Sequence, residues 1–307
     1  MTDARREPID ISVVLPIFNE RGHVHDEIER IHKGLADSQY SYEIIVIDDG
    51  SSDGSGDDLE GVEGIRLIRF LHNRGSGFAR RVGTEEARGS VVVWTDADMT
   101  YPNDQIAGLV DELPGHDQVV GARTSEQGTK KAVRVPAKWF IRTLASFLTG
   151  TKIPDLNSGF RAFRRDVALQ YLSLLPAGFS CVTTLTMAFL ANGYSVKYIP
   201  IDYARRAGTS KFHWWSDTRR FATQVIRMTM LYNPMRVFMP LGFVVFLTGV
   251  GKVVYDLITK DFRLGTNTLA LLLAAAALFI VGMLADLIVQ LNKHRGAVHP
   301  AGRPKRS

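Results

Sequence analysis

The sequence predicts an α/β domain built on a mostly parallel sheet, followed by a C-terminal hairpin of two transmembrane helices. Two observations carry that prediction. Between Ile11 and Gly121 short apolar runs alternate with helical stretches, the pattern of βαβ units whose sheet is covered on both faces. Between Leu264 and Ala285 there are 22 residues without one Asp, Glu, Lys or Arg, about 33 Å of helix against a hydrocarbon core of about 30 Å. The composition of the 307 residues, 45% hydrophobic and 22% charged, excludes a disordered chain or a fibre. Cys181 is the single cysteine, so no internal disulfide forms and a reducing compartment is compatible. The mean hydropathy of -0.01 then averages two unlike parts, a charged domain and an apolar hairpin.

The elements follow in order. Ile11–Leu15, Glu43–Ile47, Ile65–Leu71, Val91–Thr95 and Gln118–Gly121 read as strands, and Glu27–Leu35, Gly77–Ala87 and Asp104–Leu113 as helices between them. Ala137–Leu148 sets Phe140, Leu144, Phe147 and Leu148 on one face and Lys138 with Arg142 on the other. Trp214, Phe221, Val225 and Met228 repeat the arrangement opposite Arg219, Arg220 and Arg227. Both basic amphipathic stretches suit the plane of a membrane interface, and both equally suit the closing of a soluble core. Cys181–Ala191 is an apolar helical run in which the cysteine packs.

Val237–Thr259 is the weaker of the two spans, interrupted by Lys252 and Asp256, which are expected to snorkel at the far interface. A short link around Lys260, Asp261 and Arg263 makes the spans a hairpin whose ends share one side. The tail carries Lys293, Arg295, Arg303, Lys305 and Arg306 without an acid, which assigns that side to the cytoplasm. The chain is therefore read as residues 1–211 for the α/β domain, 212–234 for a juxtamembrane helix, 235–292 for the two spans and 293–307 for a basic cytoplasmic tail. No signal peptide is expected before Ile11. The net charge of +5 comes from this tail and from basic helices and loops, and no nucleic-acid partner is expected.

Three strands end in acidic or polar clusters: Pro16-Ile17-Phe18-Asn19-Glu20, Asp48-Asp49-Gly50-Ser51-Ser52-Asp53, and Asp96-Ala97-Asp98. In a parallel sheet these ends share one rim, where ligands bind. About five carboxylates are expected to converge there; a divalent cation bound with a polyphosphate would relieve their repulsion, Asp-X-Asp directing two carboxylates to Mg²⁺ or Mn²⁺. Each cluster alone also fits a turn or a helix cap.

Taken with Asn73-Arg74-Gly75-Ser76-Gly77, Asp155-Leu156-Asn157-Ser158-Gly159-Phe160-Arg161 and Arg206-Ala207-Gly208-Thr209-Ser210-Lys211, these clusters resemble family 2 glycosyltransferases of the GT-A fold. The last two motifs and the hairpin are similar to polyprenyl-phosphate sugar synthases, including dolichyl-phosphate mannose synthases and bacterial enzymes making polyprenyl-phosphate glucose. The resemblance implies inverting transfer of a hexose from a nucleoside diphosphate sugar, UDP-glucose or GDP-mannose in class, to polyprenyl phosphate at the cytoplasmic face of the plasma membrane. It implies that Pro16, Asn19, Glu20 and Asp49 line the nucleoside pocket, and that Asp96 contacts nucleotide and metal while Asp98 holds Mg²⁺ or Mn²⁺ against the diphosphate. Asp155 matches the position that offers a base or orients the acceptor. Arg206, Ser210 and Lys211, with Arg123 and then Arg134, would hold acceptor or diphosphate oxygens. A second copy of the chain is an open partner. The chain departs from the family in having Met99-Thr100 where Leu-Gln is frequent, and Ser76 where Lys is frequent.

Two other readings stay open. Asp96-Ala97-Asp98-Met99-Thr100 after an apolar strand resembles the nucleophile motif of haloacid-dehalogenase-type phosphatases, but three strands precede it and no Asp-Asp pair follows it. A membrane-anchored nucleotide-sugar-binding subunit without catalysis is the second. Gly75-Ser76-Gly77-Phe78-Ala79-Arg80 has two glycines of the dinucleotide fingerprint and an arginine in place of the third. His23-Val24-His25 lacks the spacing and further ligands of a zinc site.

Overall fold

A computed structural model describes residues 9–124, 142–147, 150–178, 180–204, 214–259 and 265–296, the side chains of 214–218, 220, 221 and 292–296 excepted. The chain divides into two compact units, Met1–Val225 and Ile226–Ser307.

The first unit is a seven-stranded sheet in the order β3-β2-β1-β4-β6-β5-β7. Its strands are β1 Ile11–Ile17, β2 Tyr42–Asp48, β3 Ile65–Arg69, β4 Val91–Trp94, β5 Gln118–Arg123, β6 Arg161–Arg164 and β7 Val196–Ile201. All neighbours are parallel except β6, which runs antiparallel to both β4 and β5. The carboxyl ends of β1, β2, β3, β4, β5 and β7 therefore lie at one rim, joined there by Arg161 at the start of β6.

Each face of the sheet carries its own core. On one side Val13, Leu15, Ile44, Val46 and Val93 pack with Ile28, Ile31 and Leu35 of α1 Val24–Ala36 and with Ile106 and Leu109 of α3 Ile106–Asp111. On the other, Val14, Ile45, Ile47, Val92 and Trp94 pack with Ala79 of α2 Ser76–Glu86 and with Cys181, Leu185 and Phe189 of the helix Cys181–Ala191. Alternation along each strand sends successive side chains to the two cores, as continuous apolar runs buried on both faces require. Pro16 is tolerated in β1 because the ladder to β4 ends at Val14 opposite Trp94, two residues earlier.

The five strands expected from the sequence are present with ends shifted by one or two residues. Strands β6 and β7 were not anticipated. Arg161-Ala-Phe-Arg164 is short and flanked by charge, and β7 contains Pro200, which a sheet accepts here because β7 is an edge strand.

The second unit contains the helices Met235–Thr259 and Thr266–Gly296. The segments Met235–Thr259 and Thr266–Leu291 are long and apolar enough to cross a membrane, with mean hydropathy 2.0 and 2.6 over an 18-residue stretch of each. The helices mesh through glycines. A Cβ on Gly242 would lie 2.9 Å from Phe279, one on Gly249 2.8 Å from Leu272, and one on Gly282 2.7 Å from Phe238. Large side chains of one helix thus fill gaps left by glycine on the other, the close packing that apolar helices use in lipid. The expectation that Asp256 snorkels is corrected: its side chain is fully buried, accepting the Gly265 N–H at 2.9 Å and the Thr268 hydroxyl, with Lys252 Nζ at 3.2 Å. Asp256 instead satisfies the start of the next helix, whose first N–H groups lack partners within it.

Candidate active site

At the β1 and β2 ends, Asn19 adopts φ 56°, a left-handed conformation that asparagine tolerates. Its N–H donates to Ser51 Oγ at 3.0 Å and its Oδ1 accepts the Ser52 N–H at 2.8 Å. The Glu20 N–H donates to Ser55 Oγ at 2.9 Å. Asn19 and Glu20 thus lock the β1 loop to the β2 loop. Asp48 accepts the Ser51 N–H at 2.9 Å, turning the β2 loop back on itself. Asp49 is buried and accepts two backbone N–H groups, from Arg74 and Gly75, each at 2.8 Å. Burial raises its carboxyl above the ordinary range, only partly offset by those two donors.

The glycines that follow serve packing. A Cβ on Gly75 would fall 2.4 Å from the Ala177 carbonyl oxygen, and one on Gly77 2.2 Å from that of Pro176. The Gly77 and Phe78 N–H groups, at the start of α2, donate to the Ala177 carbonyl at 2.7 and 3.2 Å. The resemblance of this loop to a dinucleotide fingerprint therefore has a local cause, the close approach of residues 176–178.

At the end of β4 the two acids differ. Asp96 is 32% exposed at its side chain, and its Oδ1 accepts from the buried guanidinium of Arg80. A Cβ on Gly159 would lie 2.9 Å from Asp96 Oδ2, so glycine is what lets the Asn157-Ser158-Gly159 loop close over the acid. Asp98 is 5% exposed; its Oδ1 accepts the Thr100 N–H at 3.3 Å and the Thr100 hydroxyl. The turn passes through Met99 at φ 62°, an uncommon conformation for a residue other than glycine. Beneath it lies a buried relay. Thr95 donates to Asn103 Oδ1, and Asn103 Nδ2 donates to Glu27 and, at 3.3 Å, to the Asp96 carbonyl. Glu27 is fully buried, with Arg30 Nη1 at 2.9 Å. Burial raises its carboxyl, Asn103 and Arg30 oppose the rise, and Asp98 adds to it.

The third cluster joins two expected residues directly. Arg123 Nε and Nη2 donate to the two carboxylate oxygens of Asp155 at 2.7 and 2.9 Å, and the Asn157 N–H adds a third donor at 3.0 Å. Burial pushes the Asp155 carboxyl up, but the Arg123 fork outweighs it and the group is held below the usual carboxylate range. Arg123 also lies over the Tyr203 ring at 5.2 Å. Tyr203 packs edge-on against Tyr101 at 5.3 Å, and the Tyr101 hydroxyl accepts the Gly159 N–H at 2.8 Å. Thr100, Tyr101 and Tyr203 share a cleft of about 340 Å³ with Arg30 and Pro102. Arg161 is fully buried, bonded to the carbonyls of Ser158 and Val182 and to the Thr186 hydroxyl; burial lowers its pKa to about 10. It staples the loop to the helix Cys181–Ala191.

The five-carboxylate crevice is therefore corrected. Asp48 bonds backbone of its own loop and pairs with Arg69, Asp49 bonds backbone of the loop between β3 and α2, and among the described residues no group of three His, Cys, Asp or Glu side chains is arranged to hold a metal. The pair Asp96 and Asp98 remains. Two carboxylates two positions apart, one of them a third exposed, fit Mg²⁺ or Mn²⁺ of the kind completed by substrate phosphate and water. Arg134, Arg206, Ser210 and Lys211 lie outside the described residues, as does the 260–264 link. Arg80, Glu27 and Asn103 were missed. The only signal for Arg80 in the sequence was an arginine standing where a glycine motif failed.

Comparison with known proteins agrees with this architecture. A family model described as glycosyl transferase family 2 matches residues 12–172, and one described as GtrB C-terminal hairpin matches residues 233–291. An uncharacterized glycosyltransferase of Synechocystis sp. is 27% identical over 298 residues, 95% of this chain and 91% of the relative. The undecaprenyl-phosphate 4-deoxy-4-formamido-L-arabinose transferase of Pseudomonas fluorescens is 30% identical over 244 residues, 76% of this chain and 68% of that protein. Its counterpart from Aeromonas hydrophila is 31% identical over 219 residues, with 66% and 62% covered. Among solved structures, glucosyl-3-phosphoglycerate synthase from Mycobacterium tuberculosis in complex with Mn²⁺, uridine-diphosphate-glucose and phosphoglyceric acid aligns with a TM-score of 0.58. At 18% identity, over 72% of this chain and 80% of that one, the likeness is one of fold.

Proposed function

The chain belongs to glycosyl transferase family 2 and carries the hairpin of that second family model, and from that premise we propose that it moves a sugar, with inversion, from a nucleoside diphosphate donor to polyprenyl phosphate at the cytoplasmic membrane face. The observation that carries this reading is the pairing of Asp96 and Asp98 at the sheet rim of a chain that ends in two membrane-length helices. The names of the undecaprenyl-phosphate relatives support the lipid acceptor.

The donor lies over the β1, β2 and β4 ends, with Pro16, Asn19, Glu20 and Asp49 shaping the loops around the nucleoside. Asp96 and Asp98 hold the cation, which when bound stabilises negative charge on the departing diphosphate. The acceptor phosphate already carries a nucleophilic oxygen, its second pKa being about 6. At neutral pH Asp155 is ionised with both oxygens on Arg123, so the pair acts by placing the acceptor rather than by removing a proton. Arg134, Arg206, Ser210 and Lys211 supply further phosphate contacts in this reading.

The donor in this reading is a hexose attached to UDP, one of the two classes the resemblance implies, with the 4-deoxy-4-formamido pentose in the relatives' names as the second choice. Purified full-length protein with Mn²⁺, polyprenyl phosphate and a panel of UDP- and GDP-sugars is expected to form polyprenyl-phospho-sugar from one UDP-sugar. No such product from any donor in the panel overturns the reading. Product from a GDP-sugar alone overturns the choice of base.

A further inference from the structure

Arg80 is 2% exposed, on the side of the sheet that α2 covers, and a guanidinium at that depth requires a partner. Nη2 donates to Asp96 Oδ1, while Nε is buried without a hydrogen-bond partner. The side chain is fixed from several directions. Its guanidinium lies 5.7 Å from the Trp94 ring centroid, and Gly159 is so close that a Cβ there would fall 3.1 Å from Nη2. Trp94 Nε1 donates to Thr84 Oγ1 at 2.9 Å, and Thr84 donates to the Arg80 carbonyl at 2.7 Å, closing a ring from α2 to β4 and back. Burial pushes the guanidinium pKa down, but Asp96, together with Cys181 and Tyr101 beside it, more than reverses this, so the cation persists. An arginine that leaves one buried donor unpaired while committing another to a one-third-exposed acid is placed for that acid, since its own hydrogen bonding is incomplete.

We propose that Arg80 is a positioning residue for the cation site: it fixes Asp96 through Oδ1 and offsets one of the two carboxylate charges, so that the divalent cation binds together with the donor diphosphate rather than ahead of it. The inference rests on the cation role given to Asp96 and Asp98 under the proposed function. The Arg80 guanidinium beside Asp96 lowers the net negative charge that the two carboxylates offer a divalent ion. The diphosphate brings the remainder.

The test is Mn²⁺ binding by electron paramagnetic resonance on the full-length protein in detergent, alone and with UDP or GDP. Wild type is expected to bind Mn²⁺ weakly alone and tightly with one nucleotide. Arg80→Met, neutral and of similar length, is expected to bind Mn²⁺ alone on the order of tenfold more tightly, with a smaller gain from nucleotide. Arg80→Lys, which keeps the charge, is expected to match wild type in the absence of nucleotide. Arg80→Gln, neutral but able to donate to Asp96, repeats the first comparison if Arg80→Met fails to fold. Folded neutral variants that bind Mn²⁺ alone as weakly as wild type overturn the inference and leave Arg80 a packing residue. A wild-type protein that binds no Mn²⁺ with either nucleotide removes the cation site itself, and with it the reading on which the inference rests.

Discussion

Asp155 and Arg123 illustrate how a residue's partner decides its chemistry. Both were expected near the acceptor, one as a base or orienting group and one as a phosphate ligand; the fork between them makes the acid a weak base and the pair one unit. At 12% and 14% side-chain exposure the pair is largely shielded from solvent. Asp155→Asn is therefore expected to destabilise the protein by about 3 kcal/mol at pH 7, read from chemical unfolding. The Asp155 carboxyl is held below its ordinary value, so its contribution is complete above the unfolded-state pKa of about 3.9 and is lost as pH falls through the lowered folded value. The stability gap between wild type and Asp155→Asn is accordingly expected to be constant from pH 7 to about pH 5 and to close below about pH 4. A gap that instead widens on acidification contradicts the pairing. Asp96 and Asp98 were legible because two acids directly after an apolar strand stand at the ligand-binding rim of a parallel sheet. Arg80 was not, because its burial depends on an acid 16 positions later that only the folded sheet brings beside it.

At the scale of elements, the strands β1 to β5 were legible from their apolar runs, and β6 and β7 were hidden by charge, shortness and a proline that only an edge position excuses. The glycine-rich stretch at the start of α2 carried two glycines of a dinucleotide fingerprint, but what lies close against it is the chain itself. Gly77→Ala is expected to cost about 2 kcal/mol or more in thermal unfolding, because its Cβ would enter the Pro176 carbonyl; unchanged stability would show that residues 176–178 do not hold that position. In the hairpin, Asp256 lay in plain view as an acid in an apolar run, whereas its bond to Gly265, nine residues on, depends on how the helices turn. Asp256→Ala is expected to lower the stability of the detergent-solubilised protein by about 1–2 kcal/mol, read from its unfolding midpoint, as loss of a helix cap does. An unaltered midpoint contradicts the capping role.

For the whole molecule, the near-zero mean hydropathy and the +5 charge describe neither unit alone. The sheet rim gathers the interlocked β1 and β2 loops, the acids Asp96 and Asp98, and an Arg–Asp pair; the other unit supplies two membrane-length helices. The proposed reaction, which joins a water-soluble donor to a lipid, would draw on both. In the proposed reaction the Asp96 and Asp98 rim transfers sugar to polyprenyl phosphate. Its most direct measurement is the movement of radiolabel from the donor sugar into organic-extractable lipid, by wild type and Asp98→Ala side by side with Mn²⁺ or EDTA. Label is expected in the lipid phase for wild type with Mn²⁺, reduced at least about a hundredfold by the substitution or by EDTA. Equal label in all four reactions, or none in any, contradicts it.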